Sequence, residues 1–361
     1  MTDATTAVRE DIKEEITTFD IAPANGLEKL RDRAEKIDEF CSDELLKRVT
    51  LDKMAVICDG GKFITRFKSD DTGEVFSKSF SEHSFSQLCS KLGIPANYMY
   101  SCAKRGNLSL AEDNFNSWLE TYNRDLFIRM YKDNVRGILS SRYSKFDTPE
   151  VIDVVSQCTR GLGLRVKGFF LNEERFHARL IQQEKMNVNG EDLFAGIQID
   201  SSDVGRNVLS VNFFIFKQIC SNGLCISKGN ANLFTQRHVN ICSDDFKAAL
   251  KESLKCLPEL IAEYAGIIES CTTSYKLVNG ILRPNTDKEL ADAELQKLIE
   301  SIRRKTRLPD DGAEKVILIS QNKYDLSDWG IINGITEVAQ DYTLERRIEL
   351  ERIAGGLLRV V

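Results

Sequence analysis

Histidine is scarce. His83, His177 and His238 are the only three in 361 residues, so the side chain most often used for acid–base catalysis near neutral pH is almost missing. A Ser-His-Asp arrangement and a phosphate-binding G-x-x-x-x-G-K-[ST] loop are absent, and Gly161-Leu162-Gly163 lacks the third glycine and the strand-to-helix setting of a dinucleotide site. These absences weigh against most hydrolases, NTPases and dehydrogenases, and no catalytic residue and no cofactor are expected. No apolar run approaches the roughly 20 residues that span a bilayer, and no cleavable apolar segment opens the chain. A cytoplasmic protein without membrane association is therefore expected. A net positive charge is lacking too: 49 Lys and Arg against 55 Asp and Glu leave −6, so any site for a polyanion must be local.

What is present is ordinary globular material. The chain is 42% hydrophobic and 29% charged, which calls for a packed core rather than disorder. Ten cysteines are scattered through apolar stretches and read as reduced thiols. Charge is uneven along the chain: residues 1–50 carry 8 basic and 13 acidic side chains, whereas residues 124–145 carry 6 basic and 2 acidic.

Apolar periodicity predicts an α+β fold: a central, mostly antiparallel sheet with N-terminal and C-terminal helices. Three regions are expected. Residues 1–123 form an acidic, helical region with a small β-meander. Its first helix runs from Leu27 to about Leu51 on Leu30, Ala34, Ile37, Cys41, Leu45 and Val49; the meander is Met54–Cys58, Phe63–Phe67 and Val75–Phe80, followed by helices around Phe85–Leu92 and Leu108–Tyr122. Residues 124–242 are β-rich, with a hairpin across Lys132-Asp133-Asn134, a helix opened by Pro149, and strands near Leu164–Phe170, Phe176–Ile181, Phe194–Ile199 and Val208–Phe216. Residues 243–361 are helical, with Ser243 as an N-cap, a break at Pro258, a helix near Asp287–Arg304, and a closing stripe of Trp329, Ile332, Ile335, Val338, Tyr342 and Ile348 that ends at Gly355-Gly356.

Three blocks stand in the order of a known family: Val135-Arg136-Gly137-Ile138-Leu139-Ser140-Ser141-Arg142-Tyr143 with Phe146 to Val151; Arg206 to Phe216 with Cys220-Ser221-Asn222-Gly223-Leu224 and Arg237-His238; and Asp328-Trp329-Gly330-Ile331-Ile332-Asn333-Gly334-Ile335-Thr336-Glu337. Over roughly residues 125–355 the chain resembles the phage/plasmid-like proteins of unknown function (DUF932-like). The resemblance implies a mobile-element setting, with replication, recombination or the neutralising of a host defence as its arenas, and implies no activity.

Four constellations could carry chemistry. Basic residues interleave with aromatics: Arg129, Tyr131, Lys132, Arg136, Arg142, Tyr143 and Lys145, then Arg165, Lys167 and Arg179. Strand alternation puts Arg129 and Tyr131 on one face, the combination by which single-strand binders neutralise phosphates and stack bases; the plain alternative is a solvated sheet face. Cys220, Cys225, His238 and Cys242 have the C-x4-C-x12-H-x3-C spacing of a zinc site, but Gln236–Ile241 reads as a strand rather than the helix a finger needs, and small buried cysteines are the preferred account. Glu173, Glu174, Asp200 and Asp203 could hold a metal for phosphoryl chemistry, and Arg303-Arg304-Lys305-Thr306-Arg307 ends a helix where cations favour the dipole. The preferred expectation is a single-stranded nucleic-acid binder acting in DNA replication or recombination, assembling as a homo-oligomer through the Trp329 helix. Its rivals are an acidic inhibitor of a host nucleic-acid enzyme, using residues 1–50, and a zinc protein or metal-dependent enzyme.

Overall fold

The computed structural model describes residues 26–59, 62–188, 190–217, 222–226, 232–239, 241–273, 275–278, 281–284, 292–324 and 326–358. The front half of the acidic segment, residues 1–25, lies outside them. Helix α1 (Gly26–Asp38) buries Leu30 and Ala34 and stops well short of Leu51. Residues Cys41–Val49 instead form strand β1, antiparallel to β5 (Arg124–Tyr131). Side chains four apart share a face in a strand as they do in a helix, so the Ile37, Cys41, Leu45, Val49 spacing suits both. Pairing with β5 decides it: Leu46 rather than Leu45 is buried, and a bulge before Val49 turns that residue inward again.

Strands β2 (Met54–Asp59), β3 (Lys62–Lys68), β4 (Val75–Phe80) and β6 (Asn134–Leu139) complete a six-stranded sheet in the order β1-β5-β6-β4-β3-β2. The division expected after residue 123 therefore does not separate two sheets, because the hairpin β5–β6 pairs with strands on its N-terminal side. Three helices pack on this sheet: α2 (Glu82–Leu92), α3 (Ala96–Lys104), which the pattern did not announce, and α4 (Leu108–Tyr122). The core between them holds Phe63, Phe67, Phe85, Phe115, Leu119, Leu126 and Ile128. At the sheet's edge, Asn116 of α4 acts as a side-chain neighbour strand: Val56 N donates to its Oδ1 at 2.9 Å, and its Nδ2 donates to Val56 O at 3.0 Å. Satisfying an edge in this way blocks pairing with another chain.

The second sheet follows helix α5 (Thr148–Thr159). It contains β7 (Leu164–Leu171), β8 (Phe176–Gln182), β9 (Met186–Val188), β10 (Glu191–Ser201), β11 (Leu209–Lys217), β12 (Asn222–Ile226) and β13 (Asn232–Gln236), paired antiparallel along β12-β11-β10-β8-β7, with β13 on β11 and β9 on β10. The fold is α+β and mostly antiparallel, as expected, but built on two sheets instead of one. Ala178, Leu180, Ile197, Ile199, Val211 and Phe213 lie in the same apolar core as residues of α5, α6 (Ser243–Lys255) and α7 (Leu257–Thr273). Cys242, not Ser243, occupies the N-cap of α6. Strands β8 and β10 approach so closely at Gly196 that a Cβ there would lie 2.7 Å from Ile181 Cα.

A hairpin of β14 (Tyr275–Val278) and β15 (Ile281–Pro284) leads to α8 (Asp292–Thr306), α9 (Asp310–Lys323), α10 (Asp328–Val338) and α11 (Leu344–Gly355). The apolar stripe expected to run from Trp329 to Ile348 is cut by a 3-10 turn at Ala339–Asp341. Every residue of α10 from Asp328 to Thr336 is buried in the chain's own core, and Trp329 Nε1 donates to Glu191. That helix has no free apolar face to offer a second copy. Among the described residues, no helix is long and apolar enough to cross a membrane.

Candidate functional site

Alternation along β5 and β8 correctly pairs the basic side chains by face, but the faces are covered. Arg129, Arg136, Lys167 and Arg179 are all buried. Arg129 lies where β1, β5, the start of α5 and the β10–β11 loop meet. Its guanidinium grips Asp147 at 2.5 and 2.7 Å, Asp43 at 2.9 Å and the carbonyl of Asp203 at 2.7 Å. Burial works against this charge, yet the two carboxylates hold it above its ordinary value. Lys145 closes the cluster at 2.9 Å from Asp43. Asp147 sits at the N-cap of α5 but spends its oxygens on Arg129; Asp203 caps the helix in its place, accepting from Thr148 N at 3.0 Å and Thr148 Oγ1 at 2.8 Å. The same loop needs Gly137 opposite it, where a Cβ would come within 2.9 Å of Val204 Cβ.

The remaining sequence candidates scatter. Arg136 donates to the carbonyl of Glu173 and lies 3.6 Å from Asp203. Lys167 lies over the Phe216 ring, and half-buried Arg165 over Phe194. Tyr143 donates to Asp203 O at 2.8 Å and stacks on His238. Tyr131 and Phe40 flank Lys132. Lys132, Arg142 and Lys145 are the members with exposed side chains, so the ten residues do not form one solvent-facing phosphate surface. Sheet periodicity reveals which side chains share a face; whether another element lies on that face is a long-range matter.

His238 is buried beside Ser201, and burial pushes it down from 6.5 to about 4. A lowered histidine disfavours its proton in the folded state, so its contribution is complete above pH 6.5 and is lost as pH falls toward 4. Asp203, raised by burial and Asp147 to about 6, works in the opposite direction, losing stability as pH rises through that value. Urea unfolding of the wild type against His238→Gln isolates the histidine: the wild type should lose roughly 3 kcal/mol relative to the variant between pH 6.5 and 4. Parallel pH profiles for the two proteins would contradict the assignment.

A second polar layer lies on the face of β8, β10 and β11 opposite the apolar core. In register across these strands stand His177, Arg179, Gln198, Asp200, Ser210 and Asn212. Helix α11 lies over them. Arg179 Nη2 bonds Glu351, which also takes Arg347 Nε at 3.0 Å, and Arg179 Nε donates to Gln198 at 3.0 Å. Asp200 accepts from Arg352 at 2.9 Å and from Gln198 at 3.1 Å, and lies 2.8 Å from His177 Nδ1. Burial disfavours the charged form of both partners: it lowers His177, while the His177 hydrogen bond, Arg352 and Gln198 overcome it at Asp200 and hold that carboxylate below its ordinary value.

Beside this layer opens a recess of ≈ 380 Å³ lined by Asp200, Arg206, Asn207, Val208, Ser210, Asn212, Asn232, Thr235 and Arg352. Val208 is its sole apolar member among the described residues. Amides and hydroxyls there offer donors and acceptors together, and two arginines flank them. Apart from Asp200, weighed as a metal ligand, none of these was picked out from the sequence. The legible signal was the period-two run of polar residues in β10 and β11, Gln198 and Asp200, then Ser210 and Asn212.

Three of the four carboxylates considered for a metal are otherwise engaged: Glu174 meets Arg206 at 2.8 Å, and Asp200 and Asp203 are paired as above; Glu173 meets Arg136 through its backbone carbonyl. Of the zinc set, the side chains of Cys220 and Cys225 lie outside the described residues, His238 is stacked on Tyr143, and Cys242 is exposed. No cluster of His, Cys, Asp and Glu that could hold a metal occurs among the described residues. No curated protein and no solved structure matches the chain. A family model, Domain of unknown function (DUF932), matches residues 135–354, from β6 through the polar layer of β8, β10 and β11 to α11. That span is more than half of the chain, and the protein belongs to this family.

Proposed function

We propose that the protein binds single-stranded nucleic acid without chemical conversion, in the replication or recombination of a phage or plasmid genome, and that the recess beside Asp200 receives a nucleotide of the strand. The observation that carries this reading is the recess itself. Its volume is within the range of small-molecule sites. Asn207, Asn212, Asn232, Ser210 and Thr235 supply mixed donors and acceptors of the kind that pair with the exposed edges of unstacked bases, and Arg206 and Arg352, which pair with Glu174 and Asp200, are the cations that a strand's phosphate would draw from those carboxylates. No aromatic ring lines the recess among the described residues, so recognition here rests on hydrogen bonds and charge rather than stacking.

Asn232 is exposed at the recess and suits a test that spares the core. Asn232→Asp keeps its size and adds a negative charge, and should weaken binding of a labelled single-stranded oligonucleotide at low salt by about tenfold, with a similar loss for Arg206→Ala. Affinity unchanged in both variants would remove the recess from the binding surface.

A further inference from the structure

Resting on that reading, we infer that the turn between α8 and α9 is a second phosphate site for the same strand, formed by Arg304 and Arg307. The turn borders a recess of ≈ 500 Å³ lined by Glu300, Arg303, Arg304, Arg307, Leu308, Pro309 and Asp310. The three arginines there are not equivalent. Arg303 is neutralised by Glu300 at 2.9 Å and by Asp310 at 3.1 Å. Arg304 and Arg307 are exposed and neither forms an ion pair among the described residues, although Arg304's charge still acts on Glu300 one turn back.

Backbone geometry makes Arg307 the residue that terminates α8: it follows the last residue of the helix, its N–H returns to Arg303 O at 2.7 Å, and its φ is +54°. Arg48, Asn123 and Lys132 also take positive φ, so what distinguishes Arg307 is its exposed guanidinium beside the recess and not its backbone. Favourable interaction with the helix dipole accounts for Arg303 and Arg304 in the last turn, but Arg307 lies beyond it.

Helix α11 connects this turn to the first recess. Arg346 Nη2 donates to Thr306 O at 2.5 Å, beside Arg307, while Arg352 Nη2 bonds Asp200 at 2.9 Å in the first recess. Six residues of helix separate the two anchors by about 9 Å along its axis. A strand advances about 3.4 Å per nucleotide even when helically stacked, so about three nucleotides cover that interval, whereas a single nucleotide held in the first recess does not reach the second.

A labelled mononucleotide and a labelled single-stranded 20-mer, titrated at several salt concentrations against the wild type, Arg307→Gly and Arg304→Ala/Arg307→Gly, test this. Arg307→Gly should have a Tm no lower than the wild type, since it relieves the left-handed residue. The double variant should bind the 20-mer about tenfold more weakly at low salt, with a salt slope shallower by roughly 1.4 for two lost phosphate contacts, and should bind the mononucleotide as the wild type does. A 20-mer affinity and slope unchanged in the double variant would overturn the second site alone. Equal wild-type affinity for the mononucleotide and the 20-mer would do the same, and a wild type that binds neither would remove this inference together with the reading it rests on.

Discussion

Arg129→Ala is expected to destabilise the protein by roughly 3–5 kcal/mol, enough to remove much of the stability of an ordinary domain. The argument lies in what the substitution leaves behind. Arg129 is wholly buried, and Asp147 and Asp43 are mostly so; without the guanidinium, two carboxylates of like sign share a desolvated junction with only the outer Lys145 for company. The carbonyl of Asp203 loses a donor as well, so the β10–β11 loop loosens from β5. Chemical denaturation should show the loss, and Arg129→Lys should recover only part of it, since an ammonium lacks the fork that engages Asp147 through two nitrogens. A change under 1 kcal/mol for Arg129→Ala would mean that the cluster is solvated and that the two sheets are joined by something else.

Glu351→Ala should have an effect of similar size, again roughly 3–5 kcal/mol, for the opposite reason of sign. Glu351 is fully buried between Arg179 and Arg347. Burial together with Arg179 already pushes Arg347 below its ordinary value, and Glu351 is the group that opposes this. Removing it strands two cations under α11. A triple variant, Arg179→Met, Arg347→Met, Glu351→Leu, should recover most of the loss, because well-packed apolar side chains replace a buried ion cluster at little cost. If the single variant is as stable as the wild type, α11 does not press these charges against the sheet. If the triple variant remains as unstable as the single one, the polar layer contributes more than its charges.

The sequence carried the kind of structure well and its long-range closure poorly. The meander at Met54–Phe80, the hairpin at Arg124–Leu139 and the four long strands of the second sheet follow from alternation and turn composition, which are local properties. Helices α3 and α9 escaped notice because their apolar faces are interrupted by polar positions. At the site, alternation identified Arg129 and Arg179 as members of ordered faces. It could not show that Asp43, 86 residues away, and Glu351, 172 residues away, would bury them. The recess was harder still, since it gathers Asn207, Asn232 and Arg352 from three separate segments, each of which reads as an ordinary polar position on its own.

The central claim, that the protein binds single-stranded nucleic acid, is tested most directly by fluorescence anisotropy of a labelled 20-nucleotide single strand titrated with the wild-type chain at low and physiological salt. Saturable binding at low salt, falling steeply as salt rises because phosphates exchange arginines for counterions, is the predicted result. An oligonucleotide that does not bind at low salt, or binds with no dependence on salt, would contradict it.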